Sequence, residues 1–292
     1  MGGAGQTGTG DGMPATVVLG NVGPRVTDVV TALGLLTGLD AERCRSLTDR
    51  TPVAVLRDVA EADAEMAVAA LRAAGATAGV GGSGPGSRLD RALTQGRERP
   101  LPPEVARLLR DVDAPPRLAA HLRLVHDVAY ELVAWVGRYS PALAVDREAV
   151  LFGAATHDIG KALHVAELSG PGSAHEDAGR ALLLARGVAP RLARFAATHG
   201  SWTDAAVTME DLLVSVADKV WKGKRVTELE DLVVDRLAGA TGDERWEVFL
   251  ALDGFLTGVA ADADRRLDFH SSFPAVRGAV GRTSWAPEPG GA

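Results

Sequence analysis

From about residue 100 onward, apolar positions recur at three- and four-residue intervals, the spacing that gathers them on one face of a helix. The pattern predicts helices at about 102–112, 117–139, 146–158, 174–186, 189–200, 208–222, 226–239 and 243–266. No stretch in that half sustains the two-residue alternation of a half-buried strand, so an all-α domain is expected there. The first 80 residues have a different texture. Ala15 to Leu19 is a short apolar run broken by Gly20, Gly23 and Pro24, and a periodic helix then runs to about Leu36. A short helix follows Asp40, a residue suited to capping it. Pro52 to Leu56 reads as a second strand, Glu61 to Ala74 as an Ala-rich helix stopped by Gly75, and Thr77 to Val80 as a third strand. The expected order is strand, helix, helix, strand, helix, strand.

Composition divides the chain further. Residues 1–13 are Gly-rich and too poor in apolar side chains to pack, so a disordered tail is expected. Residues 81–100, GGSGPGSRLDRALTQGRERP, interrupt the apolar pattern and read as a linker. The resulting layout is a small α/β domain at 14–80, a helical domain at 101–270 and a loose tail at 271–292, a mainly α protein.

Charge and cysteine content narrow the chemistry. A formal net charge of -7 argues against a general nucleic-acid binder or a membrane-surface protein, which would present basic faces. A small anionic ligand held by a local basic patch remains compatible. Cys44 is the single cysteine, which leaves no intrachain disulfide and no cysteine-based zinc site. The opening residues lack the basic and apolar regions of a signal peptide, and no apolar run is long enough to span a bilayer. A soluble protein of the reducing cytoplasm is expected, with any metal held by histidines and carboxylates.

Such residues occur in a suggestive order. His121 lies on the side of its helix that carries Val125, Ala129 and Leu132, so its ring points to the buried face, whereas His126 falls off that stripe and is expected to be exposed. His157 and Asp158 are adjacent in ATHDIGKA at the end of a helix. Neighbouring side chains on a regular helix diverge by about 100°, so both can reach one ion only where the helix ends and the backbone bends, which Gly160 would permit. His175 opens a helix, His199 closes one, and Asp218 sits late in the apolar helix VSVADKV. Imidazole and carboxylate donors together suit zinc, iron, manganese and similar ions. All four lysines, Lys161, Lys219, Lys222 and Lys224, lie within the HDIGK and ADKVWKGKR segments, which concentrates positive charge beside these residues.

The ordered set H…HD…H…H…D resembles the HD-domain superfamily of metal-dependent phosphohydrolases over about residues 101–270. That resemblance implies an all-α helical bundle and one or two divalent ions, with Fe, Mn, Ni, Zn and Mg as the options. Carried over by position, His121, His157, Asp158 and Asp218 match the basic metal set, and His175 and His199 match positions that complete a second metal in binuclear members. Asp158 would bridge the ions, and His157 and Asp158 would be central to catalysis. The resemblance implies cleavage of a phosphate ester or anhydride of a nucleotide or similar small molecule. Lys222, Lys224, Arg225 and Lys161 are the candidate phosphate contacts, and Trp202 and Trp221 could stack on a base. The same ligand set leaves open an HD-type di-iron oxygenase and a non-catalytic regulatory protein built on the HD scaffold.

The N-terminal segment VVTALGLLTGLDAERCRSLTDRTPVAVLRDVAEADAEMAVAALRAAGATAGV resembles the C-terminal domain of ribosomal protein L7/L12, most clearly at Thr37-Gly38-Leu39, around Pro52 and at Ala73-Ala74-Gly75-Ala76. In that family, basic residues on the first two helices recruit translation factors. Val26, Thr31 and Gly34 stand at the corresponding places here, with Arg25 and Arg45 nearby, so a protein-interaction or self-association module is expected rather than a ribosomal one.

Overall fold

The computed structural model describes residues 15–81, 87–203 and 206–275. The expected tail at 1–13 and most of the one at 271–292 lie outside them. No helix among the described residues is long and apolar enough to cross a membrane.

The N-terminal domain has the predicted order: β1 (Ala15–Asn21), α1 (Val26–Thr37), α2 (Ala41–Thr48), β2 (Val53–Val59), α3 (Glu61–Ala73) and β3 (Thr77–Gly81). β1 is central, antiparallel to β2 on one side and β3 on the other. Val17 and Leu19 of β1 meet Val29, Leu33, Cys44 and Leu71 from the three helices in one small core. Local signals behave as the sequence suggests. Asp40 accepts a hydrogen bond from the Arg43 amide at 2.8 Å and so caps α2. Gly75 has a φ of 101°, and the amides of Gly75 and Ala76 return to the carbonyls of Arg72 and Leu71, the paired bonds that close a helix through a left-handed residue.

The second domain is helical throughout its described residues: α4 (Arg88–Thr94), α5 (Pro103–Asp111), α6 (Pro116–Tyr139), α7 (Arg147–Thr156), two 3₁₀ turns (Ile159–Ala162 and Val165–Leu168), α8 (Ala174–Ala185), α9 (Pro190–Ala193), α10 (Phe195–Thr198), α11 (Met209–Val220), α12 (Thr227–Thr241), α13 (Arg245–Ala261) and α14 (Ala263–Ser271). α6 is the axis of this domain. Leu118 and Leu122 near its start pack with Leu93, Leu109, Ile159 and Leu183, while Val125, Val128 and Leu132 further along pack with Val150, Leu213, Val233 and Leu252. A helix apolar on nearly all sides is a buried one. His121 therefore stands where the two apolar cores meet.

Two expectations need correction. Residues 88–94, assigned to the linker, form α4: Ser87 caps it by accepting from the Asp90 amide at 3.0 Å, and Leu89, Ala92 and Leu93 are buried. The buried Arg123 fastens α4 and the segment leading to α5, donating to the carbonyls of Arg99 (3.1 Å), Ala92 (3.3 Å), Glu98 (2.5 Å) and Gln95. The charged composition of this stretch concealed the fact that one internal arginine satisfies its backbone. Two expected helices are also divided, the 189–200 helix at Arg194 and the 243–266 helix at Asp262.

The domains touch through polar contacts. Arg186, just past α8, donates to the carbonyls of Arg50 (2.8 Å) and Pro52, and Arg57 on β2 pairs with Asp111 on α5.

Candidate metal centre

α7 ends at Thr156, so His157 caps it and Asp158 enters the 3₁₀ turn, the break in helical geometry that lets neighbouring side chains share one centre. Gly160 acts differently from the bend expected of it. A Cβ there would lie 1.9 Å from the His175 carbonyl oxygen and 2.6 Å from the Gly179 amide nitrogen, so its role is to let the start of α8 pack backbone to backbone on the turn. This contact brings His175 to Asp158.

All six residues singled out from the sequence converge, and all six are buried. Asp158 is the hub. Its Oδ2 lies 3.0 Å from His121 Nε2 and 3.6 Å from His157 Nε2, and its Oδ1 lies 3.0 Å from His175 Nε2 and 3.4 Å from His199 Nε2. Asp218 Oδ1 faces the first pair only, at 3.6 Å from His121 and 3.4 Å from His157. The result is two overlapping donor groups, His121–His157–Asp158–Asp218 and Asp158–His175–His199, with the donor atoms of each within 4.8 Å of one another.

The orientations fit cations better than internal hydrogen bonds. The Nε2 atoms of His121 and His157 face each other at 3.2 Å. The Nδ1 atom of His157 bonds to the Ala154 carbonyl at 3.0 Å, and that of His199 to the Phe195 carbonyl at 3.2 Å. A ring that donates from Nδ1 keeps the Nε2 lone pair for a metal. Asp158 Oδ1 and His175 Nε2 are buried without hydrogen-bond partners although they lie 3.0 Å apart. Orphaned polar atoms of this kind cost roughly 1–3 kcal/mol each, a cost that a shared ligand would remove. The donor set fits a divalent metal ion.

Electrostatics agree with that fit at His157 and at the two carboxylates, whereas at His175 burial lowers the ring but Asp158 and Glu167 outweigh it and hold the ring above its ordinary value. Burial pushes His157 below its ordinary pKa against the opposing pull of Asp158 and Asp218, which favours the neutral, ligating ring. Burial would raise the Asp158 carboxyl, but His157 and the contacts from His121, His175 and His199 outweigh it and hold the group well below its usual range. Asp218 behaves alike, with burial outweighed by His157, Lys219 and His121. Both directions favour the ionised carboxylates, and Lys161 and Lys219 bring positive charge to them.

The basic residues separate into two kinds. Lys161 reaches Asp158 Oδ2 at 2.6 Å, and Lys219 reaches Asp218 Oδ2 at 2.6 Å, so Lys219, which was not among the candidate phosphate contacts, is closer to the centre than Lys222 or Lys224 in the sense that it touches a ligand. Lys222 lies over the Trp221 ring, 5.8 Å from its centroid, and Lys224 is exposed. Arg225 does not fit its assignment. Glu230 (2.6 Å), Asp253 (2.8 Å) and Thr257 (3.2 Å) occupy its guanidinium, which ties α12 to α13.

Sequence reasoning missed His270. It projects from α14 to within 6.1 Å of the His121 ring and 5.3 Å of the Trp221 ring, centroid to centroid. Burial, reinforced by His121, Arg117, Lys222 and Lys161, lowers its pKa to about 3. It lies far along the chain from the motif residues, and nothing in its neighbours marks it. Trp221 is buried with Nε1 unpartnered, and Trp202 packs beside the core with Lys219 over its ring. His126 is buried rather than exposed, because α6 is enclosed beyond its apolar stripe, and it stands apart from the centre beside Glu104, Asp146 and Glu148.

Comparison with known proteins accords with this arrangement. Residues 104–221 match the family model of the HD domain. The N-terminal region is similar to the large ribosomal subunit protein bL12 of Cellvibrio japonicus (strain Ueda107), 43% identical over 61 residues, which is 21% of this chain and 50% of that protein. The chain thus spans about half the length of the curated relative it matches. No solved structure matches it. The chain carries an HD domain behind an L7/L12-like domain.

Proposed function

We propose that the HD domain is a metal-dependent phosphohydrolase that cleaves an ester or anhydride bond of a nucleotide or similar small phosphorylated substrate. The observation that carries this reading is the division of Asp158 between two histidine groups, each oxygen facing its own set. His121, His157, Asp158 and Asp218 would hold one divalent ion, and Asp158, His175 and His199 a second. Divalent ions there supply Lewis acidity, which acidifies a water and offsets negative charge on a phosphoryl group.

The chain's own groups account for the remaining work. The carbonyls of Ala154 and Phe195 fix the rings of His157 and His199, so their donor atoms need no reorganisation when substrate arrives. Lys161 pairs with Asp158 Oδ2, the oxygen that faces His121 and His157, and Lys219 pairs with Asp218 Oδ2, the oxygen turned away from them; both lysines leave the centre less repulsive to an anion. Lys222 and Lys224 extend this charge to the rim, where a phosphate would first be met. Trp221 and His270 form a side wall against which the rest of a substrate would rest. The N-terminal domain serves as an interaction module, a role supported by the exposure of Leu35 and Met66 on its helices.

A phosphate-release screen over nucleotides and dinucleoside polyphosphates, run with manganese, iron, nickel or magnesium, tests this reading. Release that requires the added ion is the expected result. A mixed-valent di-iron resonance signal with no phosphate release from any substrate would replace hydrolysis with oxygen chemistry. A protein that holds no stoichiometric metal, and whose biological effect survives His157→Ala and Asp158→Ala, would be a scaffold.

A further inference from the structure

Three of the four histidines of the centre, His157, His175 and His199, are held at Nδ1 so that Nε2 faces inward, and the fold secures this in two ways. His157 and His199 sit at the ends of helices, where a carbonyl three or four residues back lies beneath Nδ1. His175 occupies the first turn of α8, where no helical carbonyl precedes it. Its Nδ1 meets a carboxylate instead: Glu167 Oε2 lies 2.5 Å away.

Glu167 comes from the preceding 3₁₀ turn, and its carboxylate does more than touch the ring. Oε2 accepts the His175 amide at 3.2 Å, and Oε1 accepts the Ala174 amide at 3.2 Å. Ser173, at the N-cap position, makes no side-chain cap, so Glu167 satisfies the start of α8 in its place. The intervening loop is shaped around the carboxylate. Gly172 has a φ of 153°, and a Cβ there would lie 2.5 Å from the Glu167 carboxyl carbon and from Oε1.

We infer that Glu167 is the positioning residue of the second half of the metal centre, selecting the His175 tautomer that offers Nε2 to an ion shared with Asp158. A neutral imidazole has two tautomers, and a carboxylate at Nδ1 keeps the proton there. The charge behind the ring also strengthens Nε2 as a donor, and losing such a partner typically weakens metal binding by about 10–100-fold. The inference rests on His175, Asp158 and His199 being metal ligands, and it assigns Glu167 to that site alone.

The test is calorimetric titration of the full-length, metal-stripped protein with Mn²⁺, together with visible spectra of the Co²⁺-loaded protein. Wild type is expected to take up two ions. Glu167→Ala should leave one site unchanged and weaken the other by about 10–100-fold, with a changed Co²⁺ spectrum, and Glu167→Gln, which keeps the shape but not the charge, should fall between them. In a His175→Ala background, Glu167→Ala should cost nothing further, since the two residues act through one ring. Should Glu167→Ala fail to fold, the Gln variant carries the comparison. Wild-type affinity at both sites in the Glu167 variants, or an equal loss with and without His175, overturns the inference and leaves the hydrolase reading standing. A wild-type protein that takes up no ion overturns both, and one that takes up a single ion overturns this inference with the two-ion centre.

Discussion

Replacing Gly160 with alanine should damage the metal centre without touching a ligand. The added Cβ would lie 1.9 Å from the His175 carbonyl oxygen and 2.6 Å from the Gly179 amide nitrogen, and both are backbone atoms of α8 that no rotamer change can move. Relief requires the start of α8 to retreat by about 1 Å, because packed interiors do not absorb such overlaps. His175 Nε2 now stands 3.0 Å from Asp158 Oδ1. Metal–ligand distances hold to about 0.2 Å, so a retreat of this size removes His175 from any ion held with Asp158. The expected loss at that site is at least about 100-fold, or about 2.8 kcal/mol. Overpacking should add about 1–3 kcal/mol of destabilisation. Calorimetric titration with Mn²⁺ and a thermal melt read the two effects separately. Gly239→Ala, at an exposed position of α12, is the control: nothing lies within 4 Å of its Cβ, so it should stabilise by about 0.4–1 kcal/mol and leave metal binding unchanged. A Gly160→Ala protein that binds and melts like wild type would refute the seating of α8 on the turn.

Individual side chains carry further expectations. Arg123→Met strips the donors from four carbonyls around α4 and should cost about 3–5 kcal/mol, read as a melting temperature lower by roughly 10 °C; an unchanged melt would count against the fastening role. Burial lowers His126 to about 4 from 6.5, so the unfolded chain binds the proton more readily. Stability from this group is therefore complete above pH 6.5 and falls by about 3 kcal/mol as pH drops to 4; denaturant titrations of His126→Phe should show a shallower decline over that window, and an identical slope would contradict the assignment. Lys222→Ala should raise KM several-fold with little change in kcat. Arg225→Ala should lower the melting temperature and leave KM alone, and the reverse pattern would restore Arg225 to the site.

The sequence revealed the site more fully than it revealed how the site is held. His121, His157, Asp158, His175, His199 and Asp218 were legible together through the resemblance of their order to the HD superfamily, since each taken singly has an ordinary structural explanation, and they converge in one buried cluster. Glu167 was less visible. A glutamate in a short polar loop looks like any solvated carboxylate until the loop folds around it. His270 and the displacement of Arg225 depend on where α14 and α13 lie against α11, which no local pattern encodes. α4 was hidden for the opposite reason: its charged residues suggested a linker, while Leu89, Ala92 and Leu93, enough for one buried turn of helix, were too few to register as periodicity.

Asp158 is the side chain on which both donor groups depend, so its removal is the most direct test. Metal content and phosphate release should be measured together on wild type and Asp158→Ala, with a thermal melt to verify that the variant is folded. The expected result is stoichiometric divalent metal and ion-dependent release of phosphate in wild type, with turnover abolished and metal content reduced in the variant. A folded Asp158→Ala protein that releases phosphate at the wild-type rate would contradict the assignment of this centre as the seat of hydrolysis.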